Sequence, residues 1–135
     1  MVTYEVLDMI FLNLFDRLIK KKDVYFKHSK DEQFTGEYSY DGKKIYCITK
    51  TFTTSSSNVT SWTDVGLVIN NLYRVIDISG YGDDGTQFIT VPRYESSSFY
   101  LLITFYSITR GLTYKSVGYP SKKITVIVKY TKTTD

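Results

Sequence analysis

The sequence predicts a mainly β protein, an antiparallel β-sandwich head with an N-terminal α-helix. Three observations lead there. Tyr occurs 13 times and Phe 8 times among 135 residues, and alanine is absent. Aromatic and β-branched residues favour strands, whereas Ala is the best helix former. Asp41-Gly42 and Asp84-Gly85 each sit between alternating runs rich in Tyr, Ile and Thr, a strong hairpin signal. Short strand-like runs with regular turn signals then continue to the end of the chain, as in a β-sandwich. A low-GC genome also enriches Ile, Lys, Tyr and Phe at the expense of Ala, so composition alone does not decide the matter.

A chain of 135 residues suits one domain plus a short extension, and a core is within its reach because about two-thirds of the unfolded surface is buried at this size. Hydrophobic content of 42% and charged content of 23% argue against disorder. The net charge is +3, but the basic residues fall in scattered groups, Lys20–Lys22, Lys43-Lys44 and Lys122-Lys123. Nucleic-acid binding needs them gathered with interleaved aromatics, so no nucleic-acid partner is expected. The single Cys47 forbids an intramolecular disulfide and is read as a small core hydrophobe. No signal peptide is visible. The apolar run Met9–Phe15 is broken by Asn13 and falls far short of the ~20 residues of a membrane span. The expectation is a chain made in a cytoplasm that stays soluble, with no membrane insertion.

Residues 1–22 form the first unit. Thr3 is placed to cap a helix from Tyr4 to about Lys21. Glu5 and Asp8 lie near its positive end and Lys20–Lys22 near its negative end, as the macrodipole prefers. Leu7, Phe11, Leu14 and Leu18 follow a 4-3-4 spacing, and Val6, Ile10, Phe15 and Ile19 broaden that stripe. Two readings follow: the helix packs on its own β domain, or it is buried against copies of itself or another protein, with Leu7, Ile10, Phe11, Leu14 and Leu18 at the interface. Residues 23–35 are a connector with room for one short strand. Its His28 is the only histidine, so neither a metal cluster nor a Cys-His nucleophile is expected within one chain.

Residues 36–135 form the head. Gly36–Phe52 reads as a hairpin around Asp41-Gly42, with a type I′ turn. Thr53–Ser61 is a Ser/Thr/Asn loop, Trp62 is expected to plug one end of the core, and Val65–Ile69 is a short strand or turn. Leu72–Gly80 alternates well, and Gln87–Val91 returns from the turn at 81–86 until Pro92 stops it. Phe99–Ile108 is apolar on both faces and suits a central covered strand. A turn at Gly111, a Gly/Pro turn over Val117–Ser121 and a last strand over Lys122–Thr131 complete the chain.

No reaction can be assembled from these residues. The acidic groups stand singly apart from Asp31-Glu32 and Asp83-Asp84, whereas acid–base work needs paired carboxylates in one cleft. GYGDDG is followed by no helix and matches no phosphate-binding loop. Asp83-Asp84 is read as a solvated turn rather than a calcium site.

Three pieces carry a resemblance: YDGKKIYCITKTF at 40–52, NLYRVIDISGYGDDGTQFITVPRY at 71–94, and ITVIVKYTKTTD at 124–135. Together they resemble a β-domain found at the C-terminus of tail, baseplate and fibre proteins of phages and prophages of low-GC bacteria. Asp41-Gly42-Lys43 with Ile45-Tyr46, Ile78-Ser79-Gly80, Pro92 and Tyr94, and the closing run Tyr130–Asp135 match its motifs. Ser39 and Lys44 depart from it, standing where an aromatic and a Pro are usual. The resemblance covers about Gly36–Asp135 and leaves the helix outside. It implies a virion structural protein, commonly a homotrimer, whose exposed end binds a host-surface glycan, with no enzyme activity and no cofactor.

The expectation is therefore a fibre, tail or receptor-binding component, with other virion proteins meeting it through the helix. A capsid head fibre or decoration protein without receptor binding, and a polysaccharide depolymerase, are the alternatives. The candidate receptor-binding residues, taken as lying in or beside turns, are Tyr81, Asp83, Asp84, Arg93, Tyr94, Arg110, Tyr114 and Tyr119. Tyrosines suit such a surface because the ring packs on a sugar while the hydroxyl bonds polar groups.

Overall fold

The computed structural model describes residues 3–22, 28–83, 85–86, 88–106 and 109–134, with helix side chains described as far as Leu14. Among the described residues one helix, α1 (Tyr4–Lys22), precedes nine strands. The strands are β1 (Gln33–Tyr38), β2 (Lys44–Thr53), β3 (Val59–Val68), β4 (Leu72–Asp83), β5 (Phe88–Val91), β6 (Arg93–Ser96), β7 (Phe99–Tyr106), β8 (Gly111–Val117) and β9 (Lys123–Lys132). They form a five-stranded sheet of order β1-β2-β9-β4-β5 and a four-stranded sheet of order β3-β8-β7-β6. Every pairing is antiparallel, so the expected mainly β sandwich with one N-terminal helix is what forms.

The core lies between the sheets. Ile124, Val126, Val128 and Tyr130 alternate along β9 and are essentially inaccessible. Leu101 and Leu112 face them from the second sheet and are equally buried. Full burial of each such side chain contributes about 1.5–3 kcal/mol. The described side chains of α1 do not join this core: Tyr4, Val6, Leu7, Met9, Ile10, Phe11, Leu12 and Leu14 are all exposed. The Thr3 carbonyl accepts the Val6 and Leu7 amides and starts the helix.

Four local expectations are corrected. The first concerns the turn at Asp41-Gly42, which is not type I′. Only Gly42 has a positive φ, 79°. Gly42 N donates to Ser39 O at 2.9 Å, and Ser39 N donates to Lys43 O at 2.8 Å. Tyr40 and Asp41 thus form a type I turn, and Gly42 closes a three-residue loop as the left-handed residue. Within the turn the Ser39 hydroxyl bonds the Asp41 carboxylate, holding that group below the usual carboxylate range. The second concerns only where the sheet starts. The short strand for which the connector has room forms as β1 from Gln33, and Ser29 O accepts Thr49 N at 2.8 Å, so the sheet begins before residue 36.

The third concerns β3, which starts at Val59 inside the expected loop. Trp62 is half-buried beneath Lys115, whose Nζ lies 4.7 Å from the ring centroid, and it does not join the core. Register shifts break the alternation of β3, which is why it does not read as a strand. The fourth concerns β7, which is covered on one side only. Leu101, Ile103 and Phe105 face the core, while Tyr100 and Leu102 lie half-buried on the outer face. Cys47 is 1% exposed. It alternates with Tyr46 and Ile48, which pack on the core, so it is buried on the opposite face of its sheet.

Candidate functional site

β5 ends at Val91, and the chain passes through Pro92 into β6 of the other sheet. This crossing brings the two sheets together beside the β8–β9 turn. The result is a cavity of about 410 Å³ lined by Ile89, Arg93, Glu95, Phe99, Gly118, Tyr119, Pro120 and Lys122. Arg93 and Glu95 are two apart on a strand and so share a face. Arg93 Nε donates to Glu95 Oε1 at 3.0 Å, with Nη2 on the same oxygen. The Tyr119 hydroxyl donates to Glu95 Oε2 at 3.3 Å.

The hydrogen bond from Arg93 holds the Glu95 carboxyl below its ordinary range, and the same contact raises Arg93. Burial pushes the Tyr119 hydroxyl up. At neutral pH the cavity therefore presents an ionised acceptor, a fixed cation and a protonated phenol. Phe99 supplies an apolar wall, 49% exposed and edge-on to Tyr119 with centroids 6.4 Å apart. Gly118 keeps that wall accessible, because a Cβ there would lie 2.5 Å from the Phe99 ring.

On the other face of β6, Tyr94 is 66% exposed and pairs across the strands with Tyr100, their rings stacked at 6.1 Å. Of the residues expected at a site, Arg93 and Tyr119 thus meet in the cavity, whereas Tyr94 lies on the opposite face of β6. Tyr81 is exposed on β4, and Asp83 accepts the Gly85 amide at 2.7 Å within its turn. Asp84 lies outside the described residues. Arg110, with φ of 52°, bonds the Asn70 carbonyl at the far end of the sandwich.

Tyr114 is not at a turn. It lies within β8, 5% exposed, with its ring 4.9 Å from Phe52 and its hydroxyl accepting Ser55 N at 3.1 Å. In the helix, Leu7, Ile10, Phe11 and Leu14 are between 51% and 68% exposed, and the Leu18 side chain lies outside the described residues. Sequence reasoning missed Glu95 and Phe99. The Arg93–Glu95 spacing was a usable signal, whereas nothing local places Phe99 against Gly118.

The cavity can bind and orient a polar ligand. It holds one carboxylate, already engaged by Arg93. Among the described residues no cluster of three His, Cys, Asp or Glu side chains is placed to hold a metal ion. No described helix is long and apolar enough to cross a membrane. No family model matches the chain, and neither a curated protein nor a solved structure matches it.

Proposed function

We propose that this chain is a virion structural protein of a phage, a fibre, tail or receptor-binding component that attaches to host-surface glycan. The observation that carries the reading is the Arg93–Glu95–Tyr119 cavity with its Phe99 wall. A sugar meets proteins through such a combination, an aromatic face for its C–H surface and fixed polar groups for its hydroxyls. The exposed apolar helix supports the structural half of the reading, since a stripe of that size drives association. The resemblance of Gly36–Asp135 to phage tail and fibre β-domains points the same way.

The test is a glycan array probed with the intact protein and with Glu95→Ala. The expected outcome is binding to a surface glycan without turnover, weakened about tenfold or more in the variant, as loss of a charge-assisted contact predicts. Attachment to a capsid lattice with no glycan bound favours the decoration-protein alternative. Release of product from cell-wall polysaccharide replaces the proposal with a depolymerase.

A further inference from the structure

β9 runs from the Phe99 cavity to the opposite end of the sandwich, about 30 Å away for a strand of this length. There the turn after β1 meets the start of β4, and residues 34 apart in the chain come together. Arg74 Nη1 donates to the Tyr40 hydroxyl at 3.0 Å. The guanidinium also lies over two rings, 5.6 Å from the centroid of Tyr40 and 5.5 Å from that of Tyr73. Lys43 Nζ lies over the Tyr73 ring at 5.0 Å. Both rings meet solvent, Tyr40 being 89% exposed and Tyr73 48%.

Neither cation is paired. Among the described residues no carboxylate lies within ion-pair distance of Arg74 or Lys43, whereas Arg93, Lys129 and Lys132 each have one. The carboxylates of the β1–β2 hairpin are already engaged, Asp41 by the Ser39 hydroxyl and Glu37 by Lys129 at 3.6 Å. Tyr40 takes one of the five N–H donors of the guanidinium, so a fork for an oxyanion remains. The hydroxyl and the two rings hold that fork before a ligand arrives, which lowers the ordering cost of binding.

Beside the charge, the open Tyr40 ring offers a flat surface on which a sugar's C–H face packs. A cation next to such a face fits a ring that carries its own negative group. A nucleic-acid strand needs a track of cations instead. Lys44 and Lys132 do not extend one, because they lie over Phe34 and Tyr46 on the core-facing side of the sheet, and Arg74 is on the other side.

We infer that Tyr40, Lys43, Tyr73 and Arg74 form a binding site for an acidic sugar, with its carboxylate or phosphate on the Arg74 fork and its ring against Tyr40. The choice of a sugar as the carrier rests on the glycan-attachment reading; the oxyanion follows from the unpaired cations alone.

The experiment is a ¹⁵N amide titration of the full chain with D-glucuronate, D-glucose 6-phosphate, D-glucose, acetate and adenosine monophosphate. Low ionic strength is used because salt screens exposed charges. The two acidic sugars should saturably shift the amides of Tyr40–Lys43, Tyr73 and Arg74, and the tighter of the two tells whether the group is a carboxylate or a phosphate. D-glucose, which lacks the charge, and acetate, which lacks the ring, should each bind about tenfold or more weakly. Arg74→Gln should weaken the acidic sugars by about tenfold or more. Tyr40→Ala should weaken them too, and both side chains are exposed, so the fold is kept.

Equal shifts with D-glucose, no shift at these residues at tens of millimolar, or unchanged binding by either variant overturns the inference. Acetate binding as tightly as D-glucuronate overturns it by removing the sugar, and tighter binding of adenosine monophosphate overturns it in favour of a nucleotide. Shifts confined to Phe99, Gly118 and Tyr119 overturn it while supporting the glycan-attachment reading. Shifts at Tyr40–Lys43 and Arg74 with none at the Phe99 cavity support the inference and count against the role of that cavity.

Discussion

Gly118 leaves no room for a side chain. Its φ is 80°, and an added Cβ would meet the Phe99 ring at 2.5 Å and Ser98 O at 3.0 Å. Gly42 has nearly the same φ, but nothing lies within 4 Å of a Cβ there. Gly42→Ala should therefore cost only the left-handed backbone penalty, about 1–2 kcal/mol. Gly118→Ala should cost more, about 2–4 kcal/mol, because either Phe99 or the turn must also move. Urea unfolding of the two variants checks the difference; equal costs show that Phe99 yields freely.

Tyr130 gives a pH dependence whose sign follows from its surroundings. Burial, then the Glu32 contact, raise its hydroxyl above the ordinary value of 10.0. The folded state thus keeps a proton that the unfolded chain loses, and this contribution is whole below about pH 10 and drains away as pH rises further. The urea midpoint should fall above about pH 10 more steeply in the wild type than in Tyr130→Phe. At pH 7 the variant should be about 1–3 kcal/mol less stable, since Glu32 loses a buried donor. Parallel pH profiles for the two proteins refute the assignment.

Among the elements, α1 is the one whose described apolar side chains, Tyr4 to Leu14, have no place in the sandwich core. Most of a helix's stability in a protein comes from packing its apolar face rather than from propensity, so burial against other helices is what would hold α1. We propose the homotrimer as that state, with Leu7, Ile10, Phe11 and Leu14 each contributing about 1.5–3 kcal/mol when fully buried. Leu7→Asp with Leu14→Asp should release monomers that retain the β-rich circular dichroism of the head, because neither residue touches its core. Sedimentation decides: a wild-type monomer at micromolar concentration ends the proposal.

For the whole molecule, the last strand is the keystone of the larger sheet. β9 pairs with β2 from Tyr46↔Tyr130 to Thr53↔Lys123, and with β4 from Leu72↔Lys132 to Gly82↔Ile124. The β1–β2 and β4–β5 pairs are joined into one sheet only when β9 lies between them, so long loops must close before the core assembles. Deleting residues 123–135 should leave a chain with no cooperative unfolding transition and collapsed amide shift dispersion. A truncated chain that still unfolds cooperatively shows that the second sheet folds by itself.

The sequence by itself determined the elements whose signals are local. α1 reads from its capped apolar stripe, and both Asp-Gly hairpins form where their alternating flanks place them. β9 reads from Ile124, Val126 and Val128, because strict period-two burial is written directly into residue order. Only the tertiary structure decided β3, where bulges erase the alternation. It also decided the sites. Arg93 meets Tyr119, and Arg74 meets Tyr40, across separations of 26 and 34 residues. A cavity between two sheets is set by which strands become neighbours, and that order is a property of the assembled core rather than of any single stretch of chain.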